Sequence, residues 1–236
     1  MASYDWHYDE FVQKGTDYGD LKNVEEYDAR HSRFRDYEKE AEEKLSKLKA
    51  DSESVIIDLG CGTGAFALIA AMHCRKIHAV DVSEAMLEYA SRKARKAGLG
   101  KIEFHKGGFL SYEHKGEPAD ALVSSAVLHH LPDFWKQIAL KRIYSLIKPG
   151  GRFFLFDVVF SFNPDDCEKV FDDWLKGIEE TLGPEFAREA AVHLRDEYST
   201  FSWVMEGLLA RAGFEIESCE YEKGLLAKYL CRKPVL

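Results

Sequence analysis

The sequence predicts a doubly wound α/β fold, and three observations carry that reading. Short, largely apolar runs recur along the chain at Val55-Ile56-Ile57 and at residues 77–80, 102–104, 119–124 and 152–160. Between them lie segments whose apolar residues return every three or four positions, the period of a helix face. A glycine-rich turn joins the first run to the first such segment. Strands that are apolar on both faces and alternate with helices form a parallel sheet covered on both sides. The crossovers between them are right-handed because strands twist that way.

The elements follow in order. Residues 1–22 are irregular but aromatic, with Tyr4, Trp6, Tyr8, Phe11 and Tyr18. Tyr27, His31, Phe34, Ala41, Leu45 and Leu48 mark one face of a long helix over about residues 23–50. After the first strand, Phe66, Ile69 and Ala70 mark a helix. Ser83 can cap the next one, whose face carries Leu87, Ala90, Ala94 and Ala97, and Gly98 stops it. Asp133 starts a helix carrying Ile138, Ile143 and Leu146, and Lys148-Pro149-Gly150-Gly151 ends it. Residues 161–199 are extra material. Val170, Phe171, Trp174, Leu175 and Ile178 suit one helix, and Phe186, Ala190, Ala191 and Leu194 another. An insertion after a strand's C-terminal end lies over the edge where such sheets bind ligands. Residues 200–212 read as a helix stopped by Gly213. Two strands follow, 214–221 and 225–231. The three-residue link Glu222-Lys223-Gly224 is too short for a crossover, so they form an antiparallel hairpin.

Composition narrows the function. Hydrophobic residues make up 46% and charged residues 31%, as in a globular protein. No stretch reaches the roughly 18 apolar residues of a membrane helix. Residues 1–10 are acidic and aromatic and lack the basic-then-apolar layout of a signal peptide, so a cytoplasmic protein is expected. Cys61, Cys74, Cys167, Cys219 and Cys231 are scattered without a CxxC pair, which disfavours a disulfide framework or a zinc site; no metal is expected. The net charge of −9 suits a polyanionic partner poorly, so nucleic acid is disfavoured as substrate.

The richest segment is Asp58-Leu59-Gly60-Cys61-Gly62-Thr63-Gly64, which follows a strand and opens a helix. Its glycines permit a tight turn and close approach of a ligand. Gly60-x-Gly62-x-x-Ala65 also fits a relaxed dinucleotide fingerprint. Asp58 would repel a pyrophosphate at that helix N-terminus but suits a ligand with cationic groups. Asp81 ends the second strand, and an acid there can accept both hydroxyls of a ribose.

Together with Asp81-Val82-Ser83, the run Ser124-Ser125-Ala126-Val127-Leu128-His129-His130-Leu131-Pro132-Asp133, and Leu146-Ile147-Lys148-Pro149-Gly150-Gly151, this segment resembles the class I S-adenosylmethionine-dependent methyltransferases, in particular the broad group acting mainly on small molecules. The likeness covers about residues 27–233. It implies a Rossmann-like seven-stranded sheet of order 3-2-1-4-5-7-6, parallel but for its last strand. It implies S-adenosylmethionine as cofactor, with the Gly60–Gly64 loop at the methionine part, Asp81 at the ribose, and Cys61, Val82, Ser125 and Ala126 in the cofactor site. Many relatives have an acid after the third strand that meets the adenine amino group. Here that position holds Gly108, so the backbone of Gly108 and Phe109, with Met86 on the ring, is expected to replace it. Tyr27 resembles a tyrosine that relatives place beside the methionine part. Arg30 and Arg35 are candidates for the cofactor carboxylate.

Methyl transfer is an in-line displacement that needs alignment and exclusion of water, and a hydroxyl acceptor profits from a base. His129 and His130 follow the fourth strand, and the resemblance turns them toward the methyl end, so they are the expected catalytic residues. Asp157, near the end of the fifth strand, joins them. The N-terminal aromatics and Trp174 are candidates for a lid. The expected layout is one domain: an N-terminal helical extension (1–50), a cofactor-binding core (51–160), a helical insertion over the site (161–199), and a C-terminal helix and hairpin (200–236). A small-molecule methyl acceptor is the expected partner, with no membrane. The rival readings are a nicotinamide-dependent oxidoreductase, opposed by Asp58 and the C-terminal hairpin, and a non-catalytic S-adenosylmethionine-binding protein.

Overall fold

A computed structural model describes residues 6–12, 24 and 35–235. Tyr27, Arg30 and the first part of the expected long helix lie outside the described residues. The expected single helix over 23–50 is not continuous: residues 35–36 are not helical, and α1 (Tyr37–Leu48) starts afresh where Asp36 caps it by accepting from Lys39 N at 3.1 Å. Ala41, Leu45 and Leu48 are buried as their spacing requires, and Lys44 shares that face.

The sheet begins with β1 (Val55–Leu59), β2 (Lys76–Asp81) and β3 (Ile102–Lys106), connected by α2 (Ala65–His73) and α3 (Glu84–Lys96). Ser83 caps α3, accepting from Met86 N at 3.2 Å. Next come β4 (Ala119–Ser125), α4 (Asp133–Leu146) and β5 (Ile147–Phe160). The inserted pair is α5 (Cys167–Leu182) and α6 (Pro184–Asp196). A two-residue strand β6 (Thr200–Phe201), α7 (Ser202–Ala212), β7 (Glu215–Glu222) and β8 (Leu226–Arg232) complete the chain. The sheet order is β3-β2-β1-β4-β5-β8-β7. β8 runs antiparallel to β5 and β7, and the other pairs are parallel. This is the expected order, with the last two strands renumbered because β6 pairs with the end of β5.

Neighbouring residues on each central strand face opposite layers. Ile57, Leu122 and Phe153 pack with α4 and α7, whereas Ile56, Val123 and Phe154 pack with α1 and α2. That is why the strands read as largely apolar runs. Among the described residues, no helix is long and apolar enough to cross a membrane.

Three further boundaries differ from the sequence reading. Lys148-Pro149-Gly150-Gly151 is not a turn after α4 but a bulge inside β5. Ile147 pairs with Ala119 and Arg152 with Ala121, so the bulge loops out of register. Pro149 has no amide to donate there, and a Cβ on Gly151 would lie 2.6 Å from the Asp120 carbonyl oxygen. Thr200 and Phe201 form β6 instead of the first turn of a helix. The hairpin turn lies at residues 223–225, where Leu225 N donates to Glu222 O at 3.0 Å. Lys223 and Gly224 take φ of 51° and 73°, as a type I′ turn requires.

Candidate active site

The C-terminal ends of β1, β2, β4 and β5 open into a cavity of about 710 Å³, roofed by α5 and α6. The glycine turn forms its floor. Gly60 N and Cys61 N donate to Val80 O at 2.8 and 2.9 Å, tying the turn to β2. Gly60 takes φ of 81°, and a Cβ there would sit 2.5 Å from a Val127 methyl. Gly62 is different: a Cβ would meet nothing within 4 Å, so the turn leaves space on the cavity side. Gly64 is not on the cavity wall. It starts α2 at φ of 79°, where a Cβ would come within 3.0 Å of Ala90, so it serves helix packing instead.

Three charged groups meet at this floor. Asp58 is 4% exposed, and its Oδ2 has no hydrogen-bond partner among the described residues. Burial pushes its carboxyl up to about 7, aided by the charge of Asp81 and opposed by Lys44. Lys44 is buried in turn, with its ammonium 5.6 Å from the Phe66 ring centre, and burial pushes it down. Asp81 accepts from Gly62 N through Oδ2 and from Ser83 N through Oδ1, both at 2.8 Å. Burial raises it, and those amides pull it back. A backbone hydrogen bond from Val82 adds to these, and the carboxylate still has acceptor capacity for a ligand.

The wall beyond β3 is completed from the N-terminal segment. The carboxylate of Glu10, from the N-terminal segment, accepts from Leu110 N at 3.0 Å and from Ser111 N at 2.7 Å. A Cβ on Gly108 would lie 2.5 Å from Glu10 Oε2. A distant carboxylate therefore fills the place that a side chain at 108 would take. The same segment crosses the site: Tyr8 OH donates to His130 O at 3.0 Å, and Trp6 stacks on Trp135. Tyr8, Glu10, Val12 and Trp174 line the cavity, while Trp6 is 65% exposed.

At the other end, histidines gather around two carboxylates. His129 is buried between Asp157, which meets its Nδ1, and Glu197, whose Oε2 lies 3.1 Å from its Nε2. Burial opposes the charge, yet Asp157 and Glu197 outweigh it and hold His129 up to about 9. Burial would raise Glu197, but His129 and His193 hold it at about 2. His193 Nδ1 meets Glu197 Oε1 at 2.5 Å. His130 is driven down to about 4 by burial and by the neighbouring His129 cation. His129, His130 and Glu197 are spaced as metal ligands can be, but both ring nitrogens of His129 already face carboxylates.

The sequence-predicted residues Asp58, Gly60, Cys61, Gly62, Asp81, Val82, Met86, Gly108, Phe109, Ser125, Ala126, His129 and His130 thus share one cavity. Ala126 takes the left-handed φ of 56°, rare for a residue with a Cβ, with its N donating to Phe156 O at 2.7 Å. Asp157 requires a correction. It lies behind His129, off the cavity wall, with Oδ1 also accepting from Val158 N at 2.7 Å. It positions His129 and touches no ligand space. Sequence reasoning missed Glu10, Lys44, His193 and Glu197. Lys44 stands three residues from Ala41 on the apolar face, and His193 and Glu197 have i, i+4 spacing. Glu10 carries no local signal. Arg35 lines the cavity but is engaged by Glu40 at 2.6 Å.

Comparison with known proteins agrees with this geometry. Residues 56–151 match the model of a methyltransferase domain family. The chain is 27% identical over 193 residues to an uncharacterized methyltransferase of Geobacillus kaustophilus, covering 82% of each. It is 29% identical over 188 residues to a demethylmenaquinone methyltransferase of Lactococcus lactis, covering 75% of this chain and 73% of the relative. Its fold matches the crystal structure of an S-adenosylmethionine-dependent methyltransferase from Clostridium acetobutylicum with a TM-score of 0.67 and 15% identity, over 91% of this chain and 98% of that one. A glycine turn tied to Asp81, a buried acid beneath it, the antiparallel β8 and these relatives together place the chain among the class I S-adenosylmethionine-dependent methyltransferases.

Proposed function

We propose that this methyltransferase acts on a small molecule with an apolar body and one polar, methyl-accepting group. The observation that carries the reading is the cavity's two-part wall. Trp174, Ile178, Leu182, Phe186 and Leu194 line one part, and His130, His193 and Glu197 form a polar end. At about 710 Å³ the cavity is in the range of small-ligand sites and has room for a cofactor and a compact acceptor. The roofed shape and the net charge of −9 both disfavour a nucleic acid. The same residues support the layout of one domain with the helical insertion over the site. The five free cysteines fit a reducing compartment such as the cytoplasm.

The floor fits S-adenosylmethionine: a buried carboxylate oxygen on Asp58, without a hydrogen-bond partner among the described residues, suits a cation, and Gly62 leaves open space beside it. When bound, S-adenosylmethionine supplies a methyl group on a positively charged sulfur. Asp58 would hold the ammonium, with Tyr27 nearby on the strength of the resemblance, and Lys44 the carboxylate. Asp81 would hold the ribose hydroxyls. Met86 and Phe109 would flank the adenine, with Glu10 at its amino edge. Ser125 and Ala126 would border the methionine part.

The acceptor's body is enclosed by the apolar helices, which exclude water. His129 already carries its second proton, so it does not serve as base; it fixes Glu197. His193 turns Nδ1 to Glu197, and its Nε2 would take the proton that the acceptor gives up. His130, neutral at neutral pH, accepts a hydrogen bond from the acceptor. The test is calorimetric titration with S-adenosylhomocysteine, then labelled methyl transfer to a panel of apolar hydroxyl, thiol and amine compounds. Binding should weaken about tenfold or more in Asp81→Ala and in Glu10→Ala, since each loses a charge-assisted contact. Transfer should fall about 100-fold or more in His193→Ala with binding retained. No binding by folded protein, or transfer only to protein or RNA, would overturn the reading.

A further inference from the structure

A second cluster lies away from the cavity, on the edge of the sheet. In the β2–β3 register His78 faces Glu103 and Val80 faces His105, so His78, Glu103 and His105 share one face of the sheet. His78 Nδ1 is 3.1 Å from His105 Nε2, Glu103 Oε2 is 3.5 Å from His78 Nδ1, and Glu103 Oε2 is 3.8 Å from His105 Nε2. Ligands on a tetrahedral zinc, with bonds of about 2.0–2.2 Å, stand about 3.3–3.6 Å apart. The three measured edges bracket that value.

The surroundings hold these atoms in place. Lys76 binds the other oxygen of Glu103, Oε1, at 2.7 Å, which leaves Oε2 toward the imidazoles. The His114 ring stands edge-on to His78 at 4.7 Å, and Tyr112 OH meets His114 Nδ1 at 2.9 Å. The His105 ring leans on Tyr112 at 5.5 Å. Such outer contacts are what orients metal ligands. The His78 side chain is 5% exposed, whereas His105 and Glu103 are 34% and 51% exposed, giving an ion a way in.

We propose that His78 Nδ1, His105 Nε2 and Glu103 Oε2 bind one zinc-class divalent ion, with water in the fourth position. The ion takes both facing nitrogens, and the one proton that lay between them moves to the remote nitrogen of its own ring, so each imidazole stays neutral with its single proton on the far side. His78 lies three residues before Asp81, and His105 two before Gly107, so the ion pins edge strand β3 to β2 beside the cofactor floor. No sequence spacing reveals the set, because its members come from two strands.

The experiment titrates the full chain with zinc alone, against a chromophoric chelator. One equivalent should bind at micromolar affinity or tighter. His105→Ala should weaken it about 100-fold and Glu103→Gln about tenfold, one at a half-buried and one at an exposed position outside the apolar core, while His130→Ala leaves it unchanged. Amide exchange over β3 should slow on zinc addition in the wild type and not in His105→Ala. No stoichiometric uptake, or uptake that survives His105→Ala, would overturn the proposal.

Discussion

Asp58 shows how one side chain couples folding to ligand binding. Its folded pKa of about 7 lies above the 3.8 of an ordinary aspartate, so the native state holds more protons between those values. Stability then falls as pH rises from about 4 to about 7, because a charge is forced into a buried place. A cationic ligand group reverses the preference by pairing with the ionised form. S-adenosylhomocysteine should therefore bind more tightly at pH 8 than at pH 6, while Asp58→Asn flattens that dependence; titration calorimetry at the two values reads it. Asp58 was legible in the sequence because it adjoins the glycine turn. Glu10 was not, because what gives it meaning is contact with Leu110 and Ser111, a hundred residues away.

At the scale of elements, the inserted pair α5–α6 is held lightly. None of α5 is buried, and Ala190 is the buried residue of α6. Its anchor is the chain just after α6. Glu197 pairs with His129, Tyr198 N donates to His129 O at 2.8 Å, and buried Lys136 donates to Tyr198 O. Removing one partner of such a buried pair costs about 3–5 kcal/mol, so Glu197→Gln should speed proteolysis within residues 161–196 while the sheet persists. The sign with pH follows from both partners. His129, raised to about 9, stabilises fully below 6.5 and loses its effect as pH rises through 9. Glu197, lowered to about 2, stabilises above 4.5 and fails as pH falls through 2. Wild-type cleavage in that segment should thus rise between pH 7 and 9.5, and Glu197→Gln should show little further change. The two helices were legible from their apolar spacing. Their anchor was not, since periodicity reports which face is apolar and not which polar group meets a distant histidine.

Across the whole molecule, two apolar layers share one sheet. Leu140 belongs to the layer with α4 and α7, and Ile77 to the layer with α1 and α2; both are fully buried. Each truncation to Ala should cost about 2–5 kcal/mol. Because the sheet separates the sites, the double variant should lose the sum within about 0.5 kcal/mol, as urea denaturation can measure. The strand order was legible because largely apolar runs and a short hairpin link admit few arrangements. The bulge at Lys148–Gly151 was not, since the same residues also end helices. One consequence of that order concerns biosynthesis. β8 lies between β5 and β7, and its seven pairings with β5 run from Arg152–Arg232 to Val158–Leu226. A nascent chain that has just emerged past Phe160 therefore exposes an apolar flank whose partner is still untranslated. At roughly 5–20 residues per second the ribosome leaves that flank open for several seconds, and in that interval the chain is most exposed to aggregation and to capture by chaperones.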